Sequence, residues 1–155
     1  MDKKEFLIRS FQDSDEPAVT RLWEVCFPGD PPRNRPADVI RRKSQVQPEL
    51  FLVGLYDAQL VAAAVGGYDG YRGWVYHVAT DPAFRRLGFG RQIMAEVERR
   101  LRAMGCPKLN LQVRATNKEV VDFYRSIGYS QEERVSMGKL LADDRAGCLM
   151  PPPST

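Results

Sequence analysis

WVYHVATDPAFRRLGFGR, from Trp74 to Arg91, is the stretch from which the rest of the chain can be interpreted. Its first residues are aromatic and β-branched, which predicts a strand. Asp81-Pro82 ends that strand, and a long helical pattern begins after a short basic turn. A strand, a glycine-containing turn and a helix start can form an anion site, because free N–H groups and the helix dipole point into the turn.

Glycine and arginine residues suit this turn to a phosphate group. Gly88 and Gly90 lack the Cβ atoms that would block a close approach, and they permit unusual backbone angles. Three arginines surround the same turn: Arg85, Arg86 and Arg91. The turn is not a common phosphate loop, because Ile93 replaces the third glycine of the dinucleotide fingerprint and the chain contains no G-x-x-x-x-G-K-[ST].

Length and composition are those of an ordinary globular protein. The 155 residues are 43% hydrophobic and 28% charged, which suits one domain with a core. A net charge of +3 does not indicate nucleic-acid binding, and no apolar run approaches the ~20 residues that span a bilayer. Cys26, Cys106 and Cys148 are far apart and accompany a single histidine. We therefore expect a cytoplasmic protein with reduced thiols, without a metal, a membrane partner or a nucleic-acid partner.

The hydrophobic pattern predicts a mixed α/β fold with the element order β-α-α-β-β-β-α-β-α-β. Strands are predicted at residues 6–9, 50–56, 60–67, 74–80, 108–114 and 132–141.

The predicted helices begin near Asp13, at Pro36, after Gly90 and at a capping box formed by residues 116–119. The second should carry Val46, and the third should bury Met104. These connections imply an antiparallel meander that enters a right-handed βαβ unit. We expect residues 1–141 to form a single domain and residues 142–155 to be disordered.

The pattern Arg85-x-x-Gly88-x-Gly90 resembles the acyl-CoA pyrophosphate loop of the GCN5-related N-acetyltransferases, the GNAT family. The element order over residues 6 to about 141 is similar to the fold of that family. Segments 111–117 and 123–129 look like the family's V-x-x-x-N-x-x-A-x-x-x-Y-x-x-x-G-F block. The match looks closest to the RimI-like branch, which acetylates amino groups, and the whole chain is similar to a bacterial acetyltransferase type called YpeA.

The resemblance implies acetyl-CoA as co-substrate and assigns roles to the matching positions. Val78, Ala79 and Thr80 would offer backbone groups to the pantetheine arm. Asn117 would touch the CoA arm, although it could also serve as a helix cap. Tyr124 would protonate the departing thiolate, although without the motif it would be interpreted as a core tyrosine. The pyrophosphate would be held by the N–H groups of the turn, from Arg86 through Leu87, Gly88, Phe89 and Gly90 to Arg91, and Arg85 would add charge to the same cofactor-binding site.

The acceptor half of the reaction departs from the family pattern. RimI-like enzymes have a glutamate base where this chain has Gln112, and histone-type relatives have one at the position of Trp74. His77 is an alternative base, but strand alternation places it opposite Trp74 and Tyr76, where packing against a helix is favoured. Three side chains could instead relay a proton through water: Tyr68, Asp69 and Tyr76.

Amine pKa values indicate which acceptors such a site favours. Neutralising a lysine amine of pKa about 10.4 at pH 7 costs about 4–5 kcal/mol, whereas an α-amine of pKa about 7.7–8 costs ~1 kcal/mol. We therefore expect direct transfer to the α-amine of a peptide or protein, or to a small amine of low pKa. The acceptor should enter between the loop at residues 27–35, with Arg33 and Arg35, and the hairpin at residues 68–72.

Two further expectations remain open at the level of sequence. The missing glutamate motivates an alternative from another class, a non-catalytic acyl-CoA-binding sensor or partner module. The resemblance also allows a homodimer through the last strand, since such pairing is common in the family.

Overall fold

The computed structural model describes residues 4–142, and the predicted tail at 142–155 lies outside the described residues except for Ala142. Five strands form one sheet in the order β1-β2-β3-β4-β5. The first four are antiparallel neighbours, and β5 runs parallel to β4. The predicted mixed α/β meander leading into a βαβ unit is therefore confirmed. The strands are β1 Phe6–Ser10, β2 Phe51–Tyr56, β3 Gln59–Tyr68, β4 Gly73–Thr80 and β5 Leu109–Asn110.

Helices cover both faces of this sheet. On one face, apolar side chains of α1 and α2, among them Val19, Trp23 and Ile40, pack on inward residues of β2, β3 and β4. On the other face, Val97 of α3 and Tyr124 of α4 pack on the alternate residues of the same strands. No helix within residues 4–142 is long and apolar enough to cross a membrane. The helices are α1 Glu16–Cys26, α2 Pro36–Lys43, α3 Phe89–Ala103 and α4 Lys118–Ser126.

Three predicted helix details were wrong. Val46 is exposed and lies beyond α2, because Gln47 takes a left-handed φ of 48° before Pro48, and a residue before proline disfavours helix. Met104 is the exposed C-cap of α3 rather than a buried position. The N-cap of α4 is Asn117, whose side-chain oxygen accepts a hydrogen bond from the Val120 N–H at 3.3 Å, so the predicted capping box at Thr116 is absent.

The last two predicted strands also differ from the structure. β5 has two residues instead of the predicted seven at 108–114, because the chain leaves β4 after Asn110. The strand predicted at residues 132–141 is absent, because this segment has no paired backbone neighbour among the described residues. Residues 132–136 lie beside β5 through side chains alone: Asn110 donates to Glu132 at 3.0 Å, and Gln112 Nε2 donates to Ser136 Oγ at 2.7 Å.

A β-bulge in β4 positions the candidate site. Between the pairs Ala63–Ala79 and Val65–Tyr76, β3 has one residue, whereas β4 has His77 and its successor. His77 takes a left-handed φ of 50°. An extra residue of this kind bends the strand and can redirect a side chain next to a functional site.

The bulge changes the face on which His77 lies. Its ring contacts Trp23 of α1, with ring centroids 4.9 Å apart. Tyr76 pairs with Val65, which packs in the same α1–α2 cluster. His77 therefore shares a face with Tyr76, so the prediction from strand alternation was wrong. The predicted packing of His77 against a helix is confirmed.

Candidate functional site

None of the described strands pairs with the outer edge of β4 along its second half, where the Thr80 carbonyl accepts a hydrogen bond from the Cys26 thiol at 3.5 Å. The Asp81 N–H donates to the Val61 carbonyl at 2.8 Å. Because backbone groups alternate along an antiparallel strand, Ala79 faces β3, whereas Val78 and Thr80 face the opposite edge. Among the described strands, the one on that side is β5, and it pairs only with the first two residues of β4. The edge can therefore bind an extended ligand through main-chain hydrogen bonds.

This edge leads directly to the start of α3. Gly88 is the N-cap, and no side chain caps the helix. The Gln92 N–H is the donor that reaches the Gly88 carbonyl, at 3.1 Å. The N–H groups of Phe89, Gly90 and Arg91 precede it and so have no acceptor inside the helix. Together with the helix dipole they form a site for an anion such as phosphate.

The two glycines of the turn are required for different structural reasons. Gly88 has a φ of 84°, and a Cβ built on it would meet nothing within 4 Å, so its backbone angle is what requires glycine. Gly90 is helical, and its Cβ would lie 3.1 Å from the Phe123 ring and 3.7 Å from Thr80 Oγ1. Gly90 therefore permits the close packing of α3 against α4 and β4. The unusual backbone angle expected of both glycines belongs to Gly88 alone.

Side chains of the turn point in several directions. Phe89 is buried and stacks on Phe6 with ring centroids 4.1 Å apart, which anchors the start of α3 to β1. Because its side chain is buried, Phe89 can bind an anion only through its backbone. Arg85 lies beside the Cys26 thiol. Burial raises the pKa of that thiol, and the positive charge of Arg85 partly opposes the shift. The remaining side chains of the turn are exposed: Arg86, Leu87 and Arg91.

Tyr124 lies in the core cluster of which Val78 is a partly buried member. The residue is 9% exposed, and its ring meets those of Phe123 and Tyr129 edge-on. Within residues 4–142 no hydrogen bond uses its hydroxyl, which is therefore available to a ligand. Burial raises the pKa of Tyr124 to about 12, so the hydroxyl is protonated at neutral pH and acts as a donor. Asn117 begins the same helix and is exposed.

The opposite face of β4 carries aromatic side chains. Trp74 and Tyr76 stack with ring centroids 6.4 Å apart and an interplanar angle of 14°. Tyr76 is 51% exposed, which leaves a flat apolar surface beside the open edge. Burial is the main cause of its raised pKa, and the nearby carboxylate of Asp69 adds to it. Asp69 Oδ1 accepts hydrogen bonds from the Tyr71 and Arg72 N–H groups of the hairpin turn, both at 2.7 Å.

Next to this surface, the loop at residues 27–35 contacts β4 and the chain after β5 through Asp30. Asp30 Oδ2 lies 3.7 Å from His77 Nδ1, and Asp30 Oδ1 lies 3.7 Å from Arg114 Nη2. Burial lowers the pKa of His77, and Asp30 partly opposes that shift. Sequence reasoning missed Asp30 and Arg114, because their proximity depends on the bulge and on the path of the loop.

Other predicted acceptor-side residues have structural partners. Arg35 Nε pairs with Asp38 at 3.1 Å, and the Arg33 carbonyl accepts a hydrogen bond from Arg42 at 2.9 Å. The Gln112 side chain donates a hydrogen bond to Ser136, as described above. Its carboxamide cannot accept a proton near neutral pH. Among residues 4–142, no group of three or more metal-ligating side chains lies together.

Comparisons with known proteins agree with this architecture. A family model described as "Acetyltransferase (GNAT) family" matches residues 16–129. Acetyltransferase YE1169 of Yersinia enterocolitica is 41% identical over 138 residues, covering 89% of this chain and 97% of that protein. Ard1 from Thermoplasma volcanium has a TM-score of 0.72 at 25% identity, covering 81% of this chain and 82% of that one. AAC(6')-Iy with the bisubstrate analogue CoA-S-monomethyl-acetylneamine shares the fold, with a TM-score of 0.74 at 18% identity, covering 88% and 98%.

Replacing Gly88 by alanine is expected to weaken the binding of a phosphate-bearing ligand at this turn about tenfold. A left-handed φ strains an L side chain by about 1–2 kcal/mol, and relief of that strain would move the N-cap of α3. Isothermal titration with coenzyme A measures the effect. Gly70→Ala is the matched control, because Gly70 has a φ of 91° with similar open space but lies in the β3–β4 turn. Unchanged affinity in Gly88→Ala would contradict the assignment of this turn.

Protonation of His77 is expected to destabilise the fold. Its pKa is lowered in the folded state, so the unfolded chain binds the proton more tightly, and stability falls as the pH drops below about 6.5. His77→Phe keeps an aromatic ring between Trp23 and Phe27 but cannot titrate. Urea midpoints at pH 7.5 and 5.5 should therefore differ less for His77→Phe than for the wild type. Equal differences for the two proteins would show that His77 does not contribute.

Proposed function

The chain belongs to the acetyltransferase (GNAT) family and is an N-acetyltransferase, and we propose that it transfers the acetyl group of acetyl-CoA directly to a primary α-amine. The acceptor is the α-amine of a peptide or protein, or a small-molecule amine of low pKa. The observation that carries this proposal is the open edge of β4, which runs into the uncapped start of α3, together with Tyr124 in the core cluster that also includes Val78.

In this proposal the donor is held mainly by backbone groups. The N–H groups of Val78 and Thr80 pair with the pantetheine arm as an added strand would. The first N–H groups of α3, with the exposed Arg86 and Arg91, bind the pyrophosphate. The exposed amide of Asn117 touches the CoA arm. Arg85, which lies toward Cys26, contributes positive potential at longer range.

Catalysis in this proposal divides between an N–H donor and a tyrosine. The N–H of Val78, directly after the bulge, polarises the thioester carbonyl as negative charge develops on its oxygen. Tyr124 donates a hydrogen bond to the departing sulfur. Complete proton transfer from a phenol of pKa about 12 to a thiolate of pKa about 8.5 is uphill by about 5 kcal/mol. Tyr124 therefore stabilises the thiolate chiefly as a charge-assisted donor.

Direct transfer is supported by the positions of the cysteines. The Cys26 thiol donates to the Thr80 carbonyl at 3.5 Å, and its raised pKa keeps it protonated. Cys106 lies beside Gly73, at the other end of β4, and donates to the Lys108 carbonyl. Protonation therefore disfavours Cys26 as a carrier of the acetyl group, and its position at the other end of β4 disfavours Cys106.

An α-amine is favoured because strong bases are absent from the described acceptor face. The two positions at which relatives have glutamate carry Gln112 and Trp74. His77 is neutral and only a weak base, because burial lowers its pKa. The pKa of a lysine amine lies several units above neutral pH, so this amine rarely loses its proton there. The pKa of an α-amine lies only about one unit above neutral pH.

The proposal also covers the branch of the family, the oligomeric state and the cellular location. The residue block around Asn117 and Tyr124 supports the RimI-like branch and the YpeA-type resemblance. Val135 and Met137 are 88% and 90% exposed, which supports a homodimer through residues 132–141. The free thiols Cys26 and Cys106 support a cytoplasmic location. The non-catalytic alternative is disfavoured, since the relatives are acetyltransferases and the Tyr124 hydroxyl is available.

Tyr124→Phe is expected to lower kcat about 100-fold with little change in the KM for acetyl-CoA, because the lost hydrogen bond forms to the departing sulfur. Thiol release from acetyl-CoA measures this with peptides that have a free α-amine, and with an α-blocked lysine as the comparison acceptor. The wild type should prefer the α-amine.

Tyr129→Phe serves as the control for this variant. It removes a neighbouring hydroxyl that donates to Glu98 at 3.0 Å and that is assigned no part in the chemistry. Its kcat should stay within about twofold of wild type. Equal losses in the two variants would attribute the effect to packing, and wild-type binding of coenzyme A without turnover of any amine would favour the non-catalytic module.

A further inference from the structure

The bulge in β4 places His77 on the acceptor side of the open edge. Without the extra residue, strand alternation would direct the imidazole toward the α3–α4 face, where Tyr124 lies. In the structure the ring instead lies between Trp23 and Phe27, with centroids 4.9 and 5.3 Å away. The two side chains therefore occupy opposite faces of the strand whose edge offers the Val78 N–H.

His77 also precedes the proposed oxyanion donor in the chain. An amine that attacks a carbonyl bound to the Val78 N–H must come within about 3–3.5 Å of the carbonyl carbon. A base for this amine must reach that position directly or through one water molecule, and His77 is the residue that directly precedes the Val78 N–H. The imidazole is 13% exposed, so the ring remains accessible at the surface of the acceptor face.

The surroundings of His77 suit a proton acceptor. The loop presents Asp30, 3.7 Å from Nδ1, and Arg114 lies behind it, 3.7 Å from the other carboxylate oxygen. Trp23 of α1 and Phe27 carry no charge, and the adjacent Tyr76 is kept protonated by its raised pKa. A neutral imidazole is available above its own pKa, and the carboxylate of Asp30 stabilises the imidazolium that forms.

From this geometry we propose that His77, assisted by Asp30, is the general base that accepts the proton of the attacking amine. The proposal rests on the acetyl transfer proposed above and deepens it. The amine nitrogen bonds to the acetyl carbon, the carbon–sulfur bond breaks, and coenzyme A leaves as its thiolate beside Tyr124. The amine proton passes to His77 and then to solvent, and the thiolate takes up a proton in turn, so atoms and charges balance.

The strength of this base agrees with an α-amine acceptor. Burial lowers the pKa of His77 below its ordinary value, so the imidazole is a weaker base than an α-amine and a much weaker base than a lysine amine. His77 thus takes the role of the missing glutamate, and its proton transfer is easier from an α-amine than from a lysine amine.

Chemical rescue of His77→Gly tests the proposal. Glycine tolerates the left-handed backbone at this position and leaves a ring-sized space between Trp23 and Phe27. Thiol release with an α-amine acceptor should fall about 100-fold and recover at least tenfold with added imidazole. Pyrazole, a ring of similar size and far weaker basicity, should not restore activity. Equal rescue by both rings would reduce His77 to a packing residue and overturn the proposal.

Two variants with side chains retained give an independent test. His77→Phe keeps the ring packing, and it should lose the low-pH limb of kcat that belongs to the base. Asp30→Asn removes the charge that raises the pKa of His77, so this limb should move to lower pH. A wild-type limb that persists unchanged in His77→Phe would contradict the proposal. Absence of thiol release from the wild type with every amine would instead reject the proposed acetyl transfer itself.

Discussion

Two residues of β4 stand opposite one residue of β3, and the site depends on this irregularity. A non-glycine residue in the left-handed region costs of order 1–3 kcal/mol, and it persists only where its surroundings enforce it. Here the rings of Trp23 and Phe27 enclose His77, with centroids 4.9 and 5.3 Å from that of the imidazole. The bulge thereby ties the end of α1 and the loop after it to the strand that carries the donor edge.

The two faces of β4 therefore present different chemical groups. On the α3–α4 face, the helix start and Tyr124 supply backbone donors, positive potential and one protonated hydroxyl, which suit an anionic thioester donor. On the α1–α2 face, Tyr76 with Trp74 and the Asp30–Arg114 pair supply a flat apolar surface and charges of both signs. Donor and acceptor can therefore meet at the edge without competing for the same contacts.

Local chemistry explains what could be predicted from the sequence. The strand, the turn with Gly88 and the helix after it are encoded by residues adjacent in the chain, as is the burial of Tyr124. Apolar periodicity likewise gave the meander and the βαβ unit. The bulge could not be predicted, because no glycine marks it and a histidine occupies the left-handed position. Asp30 and Arg114 were missed for a related reason: about 80 residues of chain separate them, and only the folded loop brings them together. The prediction of a strand at 132–141 was wrong, because that segment has no paired backbone neighbour among residues 4–142.

The central claim is that the open edge of β4 binds the extended arm of coenzyme A through alternate backbone groups. Amide hydrogen exchange, read residue by residue by NMR with and without coenzyme A, tests it directly. The N–H groups of Val78 and Thr80 should exchange at least tenfold more slowly when coenzyme A is bound, whereas Ala79, which faces β3, should change little. Saturation with coenzyme A that leaves Val78 and Thr80 unprotected would contradict the account, even if the start of α3 responded.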